Sequence, residues 1–279
     1  MALGIGSINS TSLFALSAIK KNESLLSVSL SQLSSGNRLV SAGIDPSGIA
    51  ISASFRAQIG GSEQAIYNSQ DAINLTRTAD ATLGGQQETL LRMRDLAVRA
   101  GNDATLTPQD QANLNAEFQS LNASLTQSGE ASSFNTKQLT SATNPYGTQQ
   151  VQSTPNNQPA GNQSVTINPS TAVTLGTSGQ DLLNSTNAGN ALTAVDTALA
   201  NVSNQRANLG VTENSLNYTT NSLESSRINM MASNSSIADL NMAEGITNLT
   251  RLSMLAKFGL AALSSANAQA GGVLKLMGI

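Results

Sequence analysis

Apolar residues recur at alternating intervals of three and four at both ends of the chain, and that spacing limits the fold more than any other feature. Near the start, Leu16, Ile19, Leu26, Leu30 and Leu33 occupy a and d positions of a heptad, with Glu23 as the polar intruder. Ser34-Ser35-Gly36-Asn37 breaks that helix, through hydroxyl competition for the backbone and the freedom of glycine. Asp45-Pro46 then reads as the N-cap and first residue of a second helix. Ile59, Ile66, Ile73, Leu83, Leu90 and Ala97 give that helix a seam. At about 1.5 Å per residue, fifty residues make a rod of about 75 Å. Gly60-Gly61 and Gly84-Gly85 weaken it, each glycine costing about 1 kcal/mol against alanine. Thr107-Pro108 starts a third helix with Leu114, Phe118, Leu121 and Leu125 on one face.

The second half mirrors the first. Leu192, Val195, Leu199, Val202, Leu209, Leu216, Leu223 and Met230 sustain a seam that Ser233 to Ser236 is expected to end. A last helix carries Leu249, Leu252, Leu263 and Val273 on its seam and shows Leu255, Phe258 and Leu260 off it. A helix apolar on more than one face must be buried on more than one face.

Between the halves, from Ser141 to Ser185, lie four of the six prolines amid Asn, Gln, Gly and Thr. Val165-Ile167 and Val173-Leu175 read as weak strands in a polar insert that is not a core. Shortening it is expected to leave assembly intact. The fold class is therefore mainly α: a long antiparallel helical bundle or coiled coil with paired N- and C-terminal helices and a small irregular or β insert. Residues 1–42 with 237–279 form one domain and residues 43–140 with 186–236 a second; residues 141–185 form the surface-exposed insert. The terminal helices have more apolar face than one another can cover, which marks a protein–protein site. A heterologous contact at one end of an asymmetric rod builds an open helical polymer.

Composition removes other classes. The chain has no Cys, His or Trp, so it lacks a thiolate nucleophile, an imidazole base and their metal sites. Charged residues are 11% of the chain, against roughly 25% in an average soluble domain. With a net charge of −3 and no basic patch, there is no nucleic-acid footprint. No apolar run reaches the 18 or so residues of a membrane helix. Neither catalysis, a cofactor nor a membrane partner is expected, and the first twelve residues lack a secretory signal.

Several stretches together carry a family likeness. Leu33-Ser-Ser-Gly36 with Arg38, Ser41-Ala42, Gly48-Ile-Ala-Ile51, Leu91-Arg-Met-Arg-Asp-Leu-Ala-Val98, Asn115-Ala-Glu117 and Phe134-Asn135 resemble the N-terminal signature of bacterial flagellins. Asp239, Ala243, Asn248-Leu-Thr-Arg251 and Ala266-Asn-Ala-Gln269 resemble the C-terminal one. The likeness covers about residues 8–140 and 190–277. It implies a secreted subunit that polymerises with itself into the extracellular flagellar filament for motility. The terminal helices then line an inner tube and the central bundle forms an outer one. The polymerisation residues are Leu16, Ile19, Leu26, Leu30, Leu33, Leu249, Leu252, Leu255, Leu263 and Val273. The likeness further implies the flagellar type III export apparatus, an export chaperone, and filament cap and junction proteins as partners. It also implies a host Toll-like receptor, met at Arg92, Leu96 and Glu117. Two alternatives stand beside it: a hook–filament junction protein, and a secreted adhesin-like protein binding through residues 141–185.

Overall fold

The computed structural model describes residues 2–143, 145–156 and 161–276, with side chains from residue 12 to residue 269 apart from the same gaps. The elements in order are α1 (Ala2–Ser35), α2 (Pro46–Ala100), α3 (Pro108–Ala131), β1 (Ser133–Phe134), β2 (Lys137–Gln138), β3 (Gly147–Val151), β4 (Gln163–Ile167), α4 (Ala172–Leu175), α5 (Ser185–Ala238) and α6 (Met242–Leu276). They divide into two compact units: residues 1–57 with 229–279, and residues 58–228.

The helix starts follow local chemistry. Asp45 caps α2: its carboxylate accepts from the Gly48 N–H and the Ser47 hydroxyl, each at 2.8 Å. The Gly48 bond first, then Ser47, holds the Asp45 carboxyl below its ordinary value. Thr107 and Asp110 form a reciprocal capping box at the start of α3. Gly36, at φ +67°, takes the left-handed conformation that ends α1.

The serines at 233 to 236 do not end α5, contrary to expectation. Ser233 Oγ donates to the Asn229 carbonyl and Ser236 Oγ to the Ser233 carbonyl, so the hydroxyls are satisfied inside the helix. The break comes at Asp239–Asn241 instead, where Asn241 Oδ1 accepts from Ala243 N–H at 3.2 Å and opens α6.

In the 58–228 unit, α2 and α5 run antiparallel. Arg77 pairs with Glu213, Arg206 with Asp80 and Arg94 with Asp196, each at 2.7 Å. These pairs are largely exposed, and each contributes about 0–1 kcal/mol. The core holds the unit together: Leu83, Leu90, Met93, Phe118, Leu125, Leu209 and Leu216 are fully buried.

The 141–185 segment corrects the sequence reading. β3 pairs antiparallel with β4, Gly147 opposite Ile167 and Val151 opposite Gln163, so Val165-Ile167 is a strand as expected. Val173-Leu175 lies instead in the short helix α4, because Ala172 and Leu175 face inward at a spacing of three while Val173 faces solvent. Nor is the segment coreless: Val165, Ile167, Leu175 and Leu182 belong to the main hydrophobic cluster. Gln86 Nε2 donates to the Ser170 carbonyl at 2.9 Å and Asn122 Nδ2 to the Thr177 carbonyl at 3.1 Å, which ties the segment to α2 and α3. Scattered apolar residues in a polar stretch give no periodic signal, although these four are buried. Replacing 141–185 with a flexible turn would strip those side chains from the bundle core.

The paired glycines of α2 separate by environment. A Cβ at Gly61 would lie 2.7 Å from the Pro155 carbonyl oxygen, whereas one at Gly60 meets nothing within 4 Å. Helix propensity favours alanine at both by about 1 kcal/mol. At Gly61 the overlap with backbone, at about 1–3 kcal/mol, outweighs it. Gly60→Ala should raise the melting temperature, and Gly61→Ala should lower it, in thermal unfolding followed by circular dichroism.

Candidate self-association surface

The surface is built in the unit of residues 1–57 and 229–279, where both helix breaks meet. Arg38 N–H donates to the Ala238 carbonyl at 2.7 Å, and Leu240 N–H to the Gly36 carbonyl at 2.9 Å, closing a short antiparallel bridge between Asn37 and Asp239. The Arg38 guanidinium also donates to the Ile237 carbonyl, through Nη2 at 2.6 Å and Nε at 3.1 Å, and so caps the C-terminus of α5. From this clasp α1 and α6 run side by side in opposite directions. Leu33 lies by Gly245, Asn22 Nδ2 donates to the Leu252 carbonyl at 2.9 Å, and Ile19 lies by Gly259. A Cβ on Gly259 would come within 3.0 Å of Ile19 Cγ1, so the absent side chain admits the close approach. An open cleft of about 330 Å³ beside this contact is lined by Ala15, Ala18, Ile19, Leu255, Gly259 and Ala262.

The polymerisation residues expected from the sequence sort into three groups. Ile19 and Leu252 are buried, Leu26, Leu33, Leu249 and Leu263 are half-buried, and Leu16, Leu30 and Leu255 are exposed. Ile19 and Leu252 are already covered within the subunit. Their seam is occupied by the chain's own partner helix, because a heptad repeat demands a partner without saying whose. The side chain of Val273 lies outside the described residues.

The face left uncovered lies mostly off the seam. Phe14 is 79% exposed, Phe258 71% and Leu255 52%, and Leu13, Leu25, Ile246, Met254 and Leu260 are exposed with them. Sequence reasoning placed Leu255, Phe258 and Leu260 off the seam and missed Phe14, Ile246 and Met254. Their signal was apolar residues on the same helices outside the a and d columns. The side-chain work of Arg38 and Asn22 on backbone carbonyls was also missed, having no periodic trace.

Of the three residues tied by resemblance to a host receptor, Arg92 and Glu117 are exposed and paired, Nη2 at 2.6 Å and Nε at 2.8 Å from Glu117 Oε1. Leu96 is only 3% exposed, inside the bundle core. It packs inward one turn along α2 from Arg92. Among the described residues no group of three or more His, Cys, Asp or Glu is placed to hold a metal ion, and no helix is long and apolar enough to cross a membrane.

Comparison with known proteins matches residues 7–145 to the bacterial flagellin N-terminal helical region and residues 192–277 to the bacterial flagellin C-terminal helical region. The chain belongs to the bacterial flagellin family. It is 37% identical over 248 residues to a flagellin of Halalkalibacterium halodurans, covering 89% of this chain and 90% of that one. With a flagellin of Bacillus subtilis it shares 34% over 305 aligned residues, covering 96% and 98%. A solved flagellar hook-associated protein of Vibrio parahaemolyticus shares the fold, at a TM-score of 0.57 and 18% identity, over 70% of this chain and all of that one. As a flagellin the chain is a structural subunit of the extracellular flagellar filament. Its helical architecture with a small β insert matches the mainly α class read from the sequence.

The Ile19–Gly259 contact sets how closely α1 and α6 pack. Gly259→Leu should force the helices apart and speed amide hydrogen exchange several-fold in residues 12–35 and 242–269. Exchange in the α2–α5 core should stay as in the parent chain. Unchanged exchange in the terminal helices would show that the close approach is not needed.

Proposed function

We propose that self-assembly runs through the apolar face that the α1–α6 pair leaves uncovered, with Phe14, Leu16, Leu25, Leu30, Leu255 and Phe258 meeting further copies of the same pair. The observation that carries this reading is that two helices already packed on each other still expose two phenylalanines and several leucines. Apolar faces of this kind on a structural protein mark association sites. The contact is heterologous, so it propagates instead of closing.

Magnitudes say how the polymer holds. Fully burying one such side chain contributes about 1.5–3 kcal/mol. Four of them give roughly 6–12 kcal/mol, against an association cost of about 4–15 kcal/mol. One contact therefore roughly breaks even. A stable filament needs each subunit to touch several others, so growth is cooperative.

On the same reading, residues 1–42 and 237–279 line the inner tube, residues 43–140 and 186–236 form the outer one, and part of 141–185 faces solvent. The family likeness supports secretion through the type III export apparatus, with an export chaperone, filament cap and junction proteins as partners. The family likeness, with the exposed Arg92–Glu117 pair, supports a surface read by a Toll-like receptor at Arg92, Leu96 and Glu117.

Leu255→Asp separates assembly from folding, because Leu255 is exposed in the subunit. A carboxylate brought into an apolar contact costs several kcal/mol. A loss of about 3 kcal/mol raises the critical concentration roughly 100-fold. Sedimentation under assembly conditions should find the variant in the supernatant, with wild-type helicity by circular dichroism. A variant that pellets like the parent chain would place the contact elsewhere.

A further inference from the structure

The chain has seven methionines and no Cys, His or Trp, so thioethers are the side chains a two-electron oxidant meets first. Met93 is fully buried in the core of the 58–228 unit. Met254 is 54% exposed on α6 and shares an open cleft of about 460 Å³ with Ile246, Leu255 and Phe258. It therefore stands within the uncovered apolar face. Two polar residues beside it bond along their own helix. Thr250 Oγ1 donates to the Ile246 carbonyl at 2.8 Å, and Arg251 Nη2 donates to Asn248 Oδ1 at 3.2 Å.

We propose that Met254 is an oxidation site that gates assembly, peroxide converting it in the free subunit to a sulfoxide that the polymer contact rejects. This rests on the assembly reading above. A sulfur lone pair attacks one oxygen of hydrogen peroxide; the O–O bond breaks and an S–O bond forms. After proton transfer the second oxygen leaves as water, the sulfur oxidised by two electrons and the peroxide reduced by two. The product is a polar, chiral side chain with a strong acceptor in place of a flexible apolar one. Pressed against apolar neighbours, that acceptor loses its water, and its desolvation opposes burial. Once a neighbouring subunit covers the face, the sulfur is out of reach, so the gate acts before polymerisation. Lone exposed methionines are usually inert surface. What sets Met254 apart is its position among Ile246, Leu255 and Phe258.

The full-length chain is treated as free subunit with hydrogen peroxide, mapped by peptide mass spectrometry and then sedimented under assembly conditions. Met254 should gain one oxygen at least roughly tenfold faster than Met93, following exposure. The pelleting fraction should fall as Met254 sulfoxide rises, and methionine sulfoxide reductase with a thiol should restore it. Met254→Leu, which keeps volume and polarity, should pellet equally before and after peroxide. The proposal is overturned if wild type with Met254 oxidised still pellets normally. It is also overturned if pelleting stays lost once Met254 is fully reduced, or if peroxide disables Met254→Leu as it does wild type. Wild type that never pellets even untreated would instead sink the assembly reading, and this proposal with it.

Discussion

Two backbone hydrogen bonds, Arg38 N–H to Ala238 and Leu240 N–H to Gly36, set the register of everything in the terminal unit. They join two chain breaks about two hundred residues apart in sequence, and the Arg38 guanidinium fastens the clasp on Ile237. Because α1 ends at one side of this bridge and α6 begins at the other, the faces they turn to each other are fixed within a turn or two. Ile19 meets Gly259 and Asn22 reaches Leu252 only in that register. A slip of one residue along either helix would rotate its apolar seam by about 100° and bring different residues to the outside.

That register decides which apolar residues the subunit keeps for itself and which it offers. Ile19 and Leu252 close the intrachain seam, while Phe14, Leu255 and Phe258 remain in solvent. The 58–228 unit is differently provided. Its largest side chains are packed inside, and exposed ion pairs such as Arg77–Glu213 decorate the outside. A subunit built this way folds one part on internal burial and leaves in the other an apolar surface whose burial needs neighbours, which is what a filament subunit requires.

Much of this was legible in the sequence because periodicity and capping are local. Asp45-Pro46 and Thr107-Pro108 mark helix starts where the structure has them, and the columns from Ile66 to Ala97 and from Val195 to Leu216 are the seams of the bundle. The legible part stops where a residue's role depends on distant chain. Ser233 to Ser236 read as a break because hydroxyls compete for backbone, yet here they donate to carbonyls of their own helix. Val165, Ile167 and Leu182 look like strays in a polar insert until β4 and the approach to α5 carry them into the core. Heptad spacing likewise marks Ile19 and Leu252 as partnered, and cannot say that the partner is the same chain.

The central claim is that assembly covers the α1–α6 face, and hydrogen exchange compared between free subunit and sedimented polymer tests it most directly. Two helices that lean on one seam should open often in the free subunit, and new neighbours should suppress that opening. The account predicts that the largest gain in protection on polymerisation falls in residues 12–35 and 242–269, with little change in the already buried stretch from Ile66 to Ala97. Protection gained mainly within residues 58–228, with the terminal helices exchanging as fast in the polymer as in the free subunit, would contradict it.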